Sequence, residues 1–239
     1  MAILLIDADI IAYKAAASAE TPVNWGDGHW TLHAFEEDVT QHIDYHVDKL
    51  VEEAPVMDCI MALSDTGNFR KKLVCDTYKA NRKDTRKPML LPFAKEYITS
   101  KYNTIIHRDL EADDTIGILA SSNSEMIVWS EDKDLLTIPA KHWIDGEVVE
   151  QTLEQADYMF YYQTLIGDPT DNYKGCPKVG SVTAHKLLQE ESSWDTVVEA
   201  FVKRGQTPKD AIKQARLARI LRKGEYDMDT GEVKLWNPQ

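Results

Sequence analysis

Short apolar runs, several of them ending in aspartate or glutamate, recur along this chain. Residues 2–6 form the first and stop at Asp7, residues 57–63 the second, Asn103–His107 the third and Met126–Trp129 the fourth. Runs of four to seven mostly apolar residues bounded by polar ones predict strands buried on both faces. Between them the apolar spacing changes to three and four. Val39, Ile43, Val47, Leu50 and Val51 mark a helix over 35–53, and further helices are predicted over 10–18 and 113–121. Gly26-Asp27-Gly28 predicts a turn or short hairpin within residues 22–30, and Asp145-Gly146 an edge pair over 142–149. Strands alternating with helices predict an α/β core with a mainly parallel sheet. Beyond Leu153 the strand signal fades into helices over 154–166, 181–190, 194–203 and 208–222, then a polar tail from Gly224 with one strand at residues 233–235. The expected organisation is a core over 1–152 and a helical part over 153–239, without internal repeats.

The acids that follow these runs decide what the chain can do. They are Asp7, Asp65, the group Glu111, Asp113 and Asp114, the pair Asp132 and Asp134, and the pair Asp168 and Asp171. In an open parallel sheet the crevice lies outside the carboxyl ends of the strands, so these side chains converge there. Two unit charges about 4 Å apart repel by roughly 4 kcal/mol at an effective dielectric near 20. Several such pairs exceed the stability of a domain, and a shared proton relieves only one of them. Hard divalent ions, Mg2+ or Mn2+, are the matching counter-charge. Helix capping accounts for one or two of the acids at 111–114 but not for three in four residues beside other acidic groups.

A net charge of -13 argues against a polyanionic partner until its distribution is considered. Residues 70–87 hold eight Lys/Arg against two acids, and residues 174–223 eleven against five. Such segregation suits a protein that grips phosphates on basic surfaces and holds metals between them, although basic runs also occur as plain solvated helix faces. The segment from Phe69 to Lys101, basic and proline-containing, joins two strands by a connection longer than usual, as functional insertions do. Three cysteines without C-x-x-C spacing fit a reducing compartment such as the cytoplasm. Asp7 and Asp9 interrupt the apolar N-terminus, which excludes a signal peptide, and no run approaches a membrane span.

Residues 167–188, Gly-Asp-Pro-Thr-Asp-Asn-Tyr-Lys-Gly-Cys-Pro-Lys-Val-Gly and the helix after it, have the pattern of a helix-hairpin-helix, in which backbone N–H groups at a turn and helix start face a phosphate. Together with Leu5-Ile6-Asp7, Tyr78-Lys79-Ala80-Asn81-Arg82, Glu111-Ala112-Asp113-Asp114 and Ser130-Glu131-Asp132-Lys133-Asp134, in that order over residues 5–188, it resembles the 5′ nucleases of the flap endonuclease superfamily. That superfamily includes phage 5′ exonucleases and the N-terminal domain of bacterial DNA polymerase I. The resemblance implies a PIN-like core with a helical arch near 70–101 and a helix-three-turn-helix near 173–190. It implies two Mg2+ or Mn2+ ions and a K+ at the hairpin. Asp7, Asp65, Glu111 and Asp113 match the first metal's ligands, and Asp132, Asp134, Asp168 and Asp171 the second's, with Asp114 the extra acid of phage members. Lys79 and Arg82 match cations that contact the scissile phosphate, and Arg70, Lys83, Lys174, Gly175, Lys178, Gly180 and Lys186 are the expected DNA contacts. Lys178 stands where many members have a glycine. The expected activity is hydrolysis near the 5′ ends, nicks or flaps of DNA, or of RNA-primed duplex, by a monomer. An RNase H-like 5′ nuclease or PIN-type ribonuclease acting on RNA, and a non-catalytic DNA-binding protein, are the alternatives. His107, His142 and His185 are not needed as bases, and no Walker-type or G-x-G-x-x-G loop follows the first strand.

Overall fold

The computed structural model describes residues 2–238. Its sheet is built from β1 (Ile3–Asp7), β4 (Asp58–Ala62), β5 (Thr104–Ile105), β6 (Met126–Trp129), β7 (Lys141–Ile144) and β8 (Glu147–Glu150), in the order β5-β4-β1-β6-β7-β8. All neighbours are parallel except β7 and β8, the expected edge hairpin. β1 lies between β4 and β6, and Leu4, Leu5 and Ile6 are wholly buried because helices cover both faces. Alternation along the strand sends Leu4 and Ile6 to one side, with Ile11, Val39, Ile43 and Ile98, and Leu5 to the other, with Ile116, Val128 and Ile138.

The first side is covered by α1 (Ala8–Ser18), α2 (Glu36–Glu53) and α3 (Leu91–Lys101), the second by α4 (Ala112–Ala120). Gly117 of α4 is where the chain near Ile220 and Leu221 approaches most closely, and a Cβ there would collide with the Leu221 carbonyl. Between α1 and α2 the chain forms a separate antiparallel hairpin, β2 (Thr21–Gly26) and β3 (His29–His33), with Trp25 and Trp30 exposed. The helical half comprises α5 (Leu153–Ile166), α6 (Ser181–Glu190), α7 (Trp194–Val202) and α8 (Pro208–Ala218), packed around Leu165, Leu188, Val197 and Phe201. The tail returns over both halves. Tyr226 and Leu235 join Phe69 and Leu110, while Trp236 meets Phe160 and Trp194 edge-on.

The segment 70–101 divides in two. Its second part is α3, which packs on α1 and α2 as a core helix and was not foreseen, since only Ala94 and Ile98 of its eleven residues are buried. Residues 70–90 form the basic crossing, with a π-type turn at Arg70–Val74 and a 3-10 turn at Ala80–Arg82. The predicted strand at 233–235 reduces to a single bridge between Tyr226 and Val233. The helix predicted to 222 ends at Ala218, because residues 219–222 turn inward to bond α4 and the sheet's flank.

Candidate active site and metal centre

A cleft of about 740 Å3 opens along the carboxyl ends of β1 and β6, where the strand order changes direction from β1. Asp7 closes β1 and sits at the N-terminus of α1, and Asp113 lies in the first turn of α4. Asp132 and Asp134 belong to the turn after β6, and Asp168 and Asp171 to the loop after α5. All of these line the cleft, with Glu111, Lys79 and Arg82. Ser130 links two of the groups, donating to Asp7 Oδ2 at 2.9 Å and accepting from Asp132 N at 3.0 Å.

The electrostatics are those of crowded acids. Burial, with the charges of Asp9 and Asp132, pushes the Asp7 carboxyl up to about 7 despite the bond from Ser130. Burial and the Asp132, Asp168 and Asp171 charges do the same to Asp134, also to about 7. Asp113 is raised well above the carboxylate range by burial and by Asp7, Asp132 and Glu111. Glu111 goes the other way. Burial would raise it, but the Lys79 and Arg70 charges outweigh that and hold it at about 2.

Protein cations and donors meet part of this charge. Lys79 pairs with Glu111 and reaches Asp171 at 3.4 Å, Arg82 meets Asp171 at 2.5 Å, and Gln163 donates to Asp134. The Tyr78 hydroxyl is within hydrogen-bonding distance of Asp171 (2.7 Å) and Glu111 (3.1 Å). Among the described residues no three His, Cys, Asp or Glu side chains are gathered around one point as a metal ion would need. Yet Asp7 Oδ1 is buried without a hydrogen-bond partner, and the charges bearing on Asp7 are those of the acids Asp9, Asp113 and Asp132. A buried carboxylate oxygen of this kind is costly unless a cation reaches it, so the residues fit a hard divalent ion.

Four expectations need correction. Asp65 does not line the cleft; its carboxylate accepts from Asp109 N at 2.8 Å and closes the loop after β4. In its place Asp9 lines the wall, with Oδ2 accepting from Ser64 N and Oδ1 lying 2.5 Å from Lys95 Nζ. Asp114 is fully buried and faces away from the cleft, bonded to Arg70 through both oxygens and to Leu221 N. Arg70 is therefore no DNA contact: it is buried, and its guanidinium is used by Asp114, Glu111 and the carbonyls of Leu217 and Arg219. Gly175 is buried against Gly167, and its N–H donates to Gln214 Oε1, so it too is closed to a phosphate. Lys83, Lys174, Lys178, Gly180 and Lys186 are exposed, and α6 begins at Gly180 without a side-chain cap. Ser130 and Gln163 escaped the sequence-based set. Ser130 carried a signal, its place directly after β6 matching that of Asp7 at the end of β1.

The model of the family described as 5′-3′ exonuclease, N-terminal resolvase-like domain, matches residues 2–162. The chain belongs to this family. It is 30% identical to the exodeoxyribonuclease of Enterobacteria phage T3 over an alignment of 285 positions, covering 99% of this chain and 93% of the relative. Identity to the exonuclease of Escherichia phage T7 is also 30%, again over 99% of this chain and 93% of the other. Among solved structures the fold matches the T5 D15 protein co-crystallised with metal ions, with a TM-score of 0.66 at 12% identity over 91% of this chain and 89% of that one. As a member of the 5′-3′ exonuclease family the chain is a nuclease, and the acidic cleft is where its sheet and helical half meet.

Proposed function

We propose that this nuclease hydrolyses phosphodiester bonds at the 5′ ends, nicks and flaps of DNA, including RNA-primed duplex, with Mg2+ or Mn2+ held by the acidic cleft. The observation that carries the proposal is the crowding of Asp7, Asp113, Asp132 and Asp134 into one cleft, three of them with carboxyls raised far above their ordinary range. Asp7, Glu111 and Asp113 would hold one ion, and Asp132, Asp134, Asp168 and Asp171 the other. Bound there, divalent ions supply Lewis-acid polarisation of the phosphate and lower the pKa of an attacking water.

The chain's own residues do the rest. Lys79 and Arg82 line the cleft, paired with Glu111 and Asp171, where they would meet a phosphate seated there. Their charge would offset that developing on the phosphoryl oxygens, and no covalent nucleophile is needed. Tyr78 keeps Glu111 and Asp171 oriented. The uncapped start of α6, with Lys174, Lys178 and Lys186, would hold the duplex backbone without reading its sequence, and the turn before it would hold a K+. His142 is buried and its Nε2 donates to the Ile138 carbonyl oxygen at 3.1 Å, and His185 is stacked on Tyr162, so neither serves as a base.

Cleavage of 5′-labelled blunt, nicked, flapped and RNA-primed duplexes with Mg2+ tests the proposal. Wild type should release 5′ products, and Asp113→Asn should lower cleavage by on the order of a thousandfold or more while binding DNA in Ca2+ as before. Near-normal turnover by the variant would overturn the ligand assignment.

A further inference from the structure

Lys79 and Arg82 owe their place to a set of contacts outside the cleft. Lys79 has φ +55°, a left-handed backbone that non-glycine residues keep only where the surroundings enforce it. Facing it is Asn172, φ +60°, a residue type that tolerates this conformation. Two short irregular segments, 77–82 and 169–172, are tied together at these positions. Lys79 N donates to Asp171 O at 2.9 Å, and Asn172 Nδ2 to Thr77 O at 2.7 Å. In return Asn81 Nδ2 donates to Pro169 O at 2.9 Å and Thr170 O at 3.2 Å, and Arg82 Nε donates to Thr170 O at 3.1 Å.

Both asparagines are exposed and neither lines the cleft. Removing their amides leaves three backbone carbonyls that water can solvate, so their contribution to overall stability is small. What they fix is geometry. The first segment carries the two cations and the second carries Asp171 and directly follows Asp168, so the reciprocal amide bonds hold cations and acids in one register. We propose that Asn81 and Asn172 are positioning residues that seat Lys79 and Arg82 over the carboxylate cleft, so that the basic crossing and the acidic loop act as one unit. This rests on the reading of Lys79 and Arg82 as phosphate-contacting cations. A misplacement of an ångström at such a centre lowers rate far more than affinity.

The test is single-turnover cleavage of a 5′-labelled nicked duplex with Mg2+, alongside DNA affinity in Ca2+ and thermal unfolding. The variants are Asn81→Ala, Asn172→Gly, Lys79→Ala and Lys79→Ala combined with each asparagine change. Asn172→Gly keeps the left-handed backbone accessible while removing the side chain that carries the amide. Each asparagine variant should cleave about tenfold to a hundredfold more slowly, with affinity and unfolding temperature unchanged. In the Lys79→Ala background the same changes should cost much less than they do alone. Asparagine variants that cleave like wild type while Lys79→Ala is impaired would overturn the clasp and leave the role of Lys79 standing. Full multiplication of the effects would show that the asparagines act apart from Lys79, which also overturns it. Wild-type cleavage by Lys79→Ala would remove the underlying reading and the clasp with it.

Discussion

Burial and like charge hold the Asp7 and Asp134 carboxyls at about 7 in the folded protein, whereas both ionise near 3.8 when unfolded. Between those values the folded state binds more protons than the unfolded one, so stability falls as pH rises and levels off above about 7. The slope is about 1.4 kcal/mol per pH unit for each group fully in this window. Glu111, held at about 2 against an ordinary 4.5, acts in the opposite sense, its contribution being lost as pH falls toward 2. Divalent ions would replace the protons. Without them the unfolding temperature should fall from pH 5 to pH 7.5, and Mg2+ should restore much more of it at pH 7.5 than at pH 5. Equal Mg2+ increments at the two pH values would contradict the electrostatic account. At this scale the sequence pattern identified most of the cleft, because an acid directly after a buried strand has few other places to go. It failed at Asp65 and Asp114, where one residue of displacement along a loop or a helix turn aims a carboxylate at a backbone N–H or a buried arginine instead.

Elements that carry their own periodicity were legible. β1, β6, α2, α5 and α6 fall close to their predicted bounds because apolar residues recur at the spacing of a strand or helix. α3 was not legible: two buried residues and a proline near its start give little signal, and tertiary packing on α1 and α2 makes it a helix. α4 illustrates the reverse dependence, since its glycine is required by a partner distant in sequence. Gly117→Ala would normally favour a helix by about 1 kcal/mol. Here the collision with Leu221 O and Ile220 should reverse the sign and destabilise the protein by roughly 1–3 kcal/mol, read as a lower unfolding midpoint in urea. An unchanged or raised midpoint would mean that residues 220–221 do not pack on α4 as described.

For the whole molecule the sign of the charge matters less than where it lies. An acidic chain can take an acidic partner because its basic residues sit in the crossing at 70–87 and in the helical half, both of which help to line the cleft. Composition exposed that segregation, but not which cations are free. Arg70 is consumed in the core, whereas Lys178 remains exposed just before α6 and Lys186 exposed along it. Lys178→Ala and Lys186→Ala should each weaken DNA binding in Ca2+ alike for all sequences and flatten the dependence of log affinity on log salt by about 1. A salt slope that does not move would place the duplex elsewhere. Carboxylates from β1, α4, the turn after β6 and the loop after α5 line one cleft and would form a single divalent-ion centre. Calorimetric titration of wild type and Asp113→Asn with Mn2+ tests it most directly. Two bound ions in wild type, with tight binding lost in the variant, is the predicted result; the same isotherm for both proteins would contradict it.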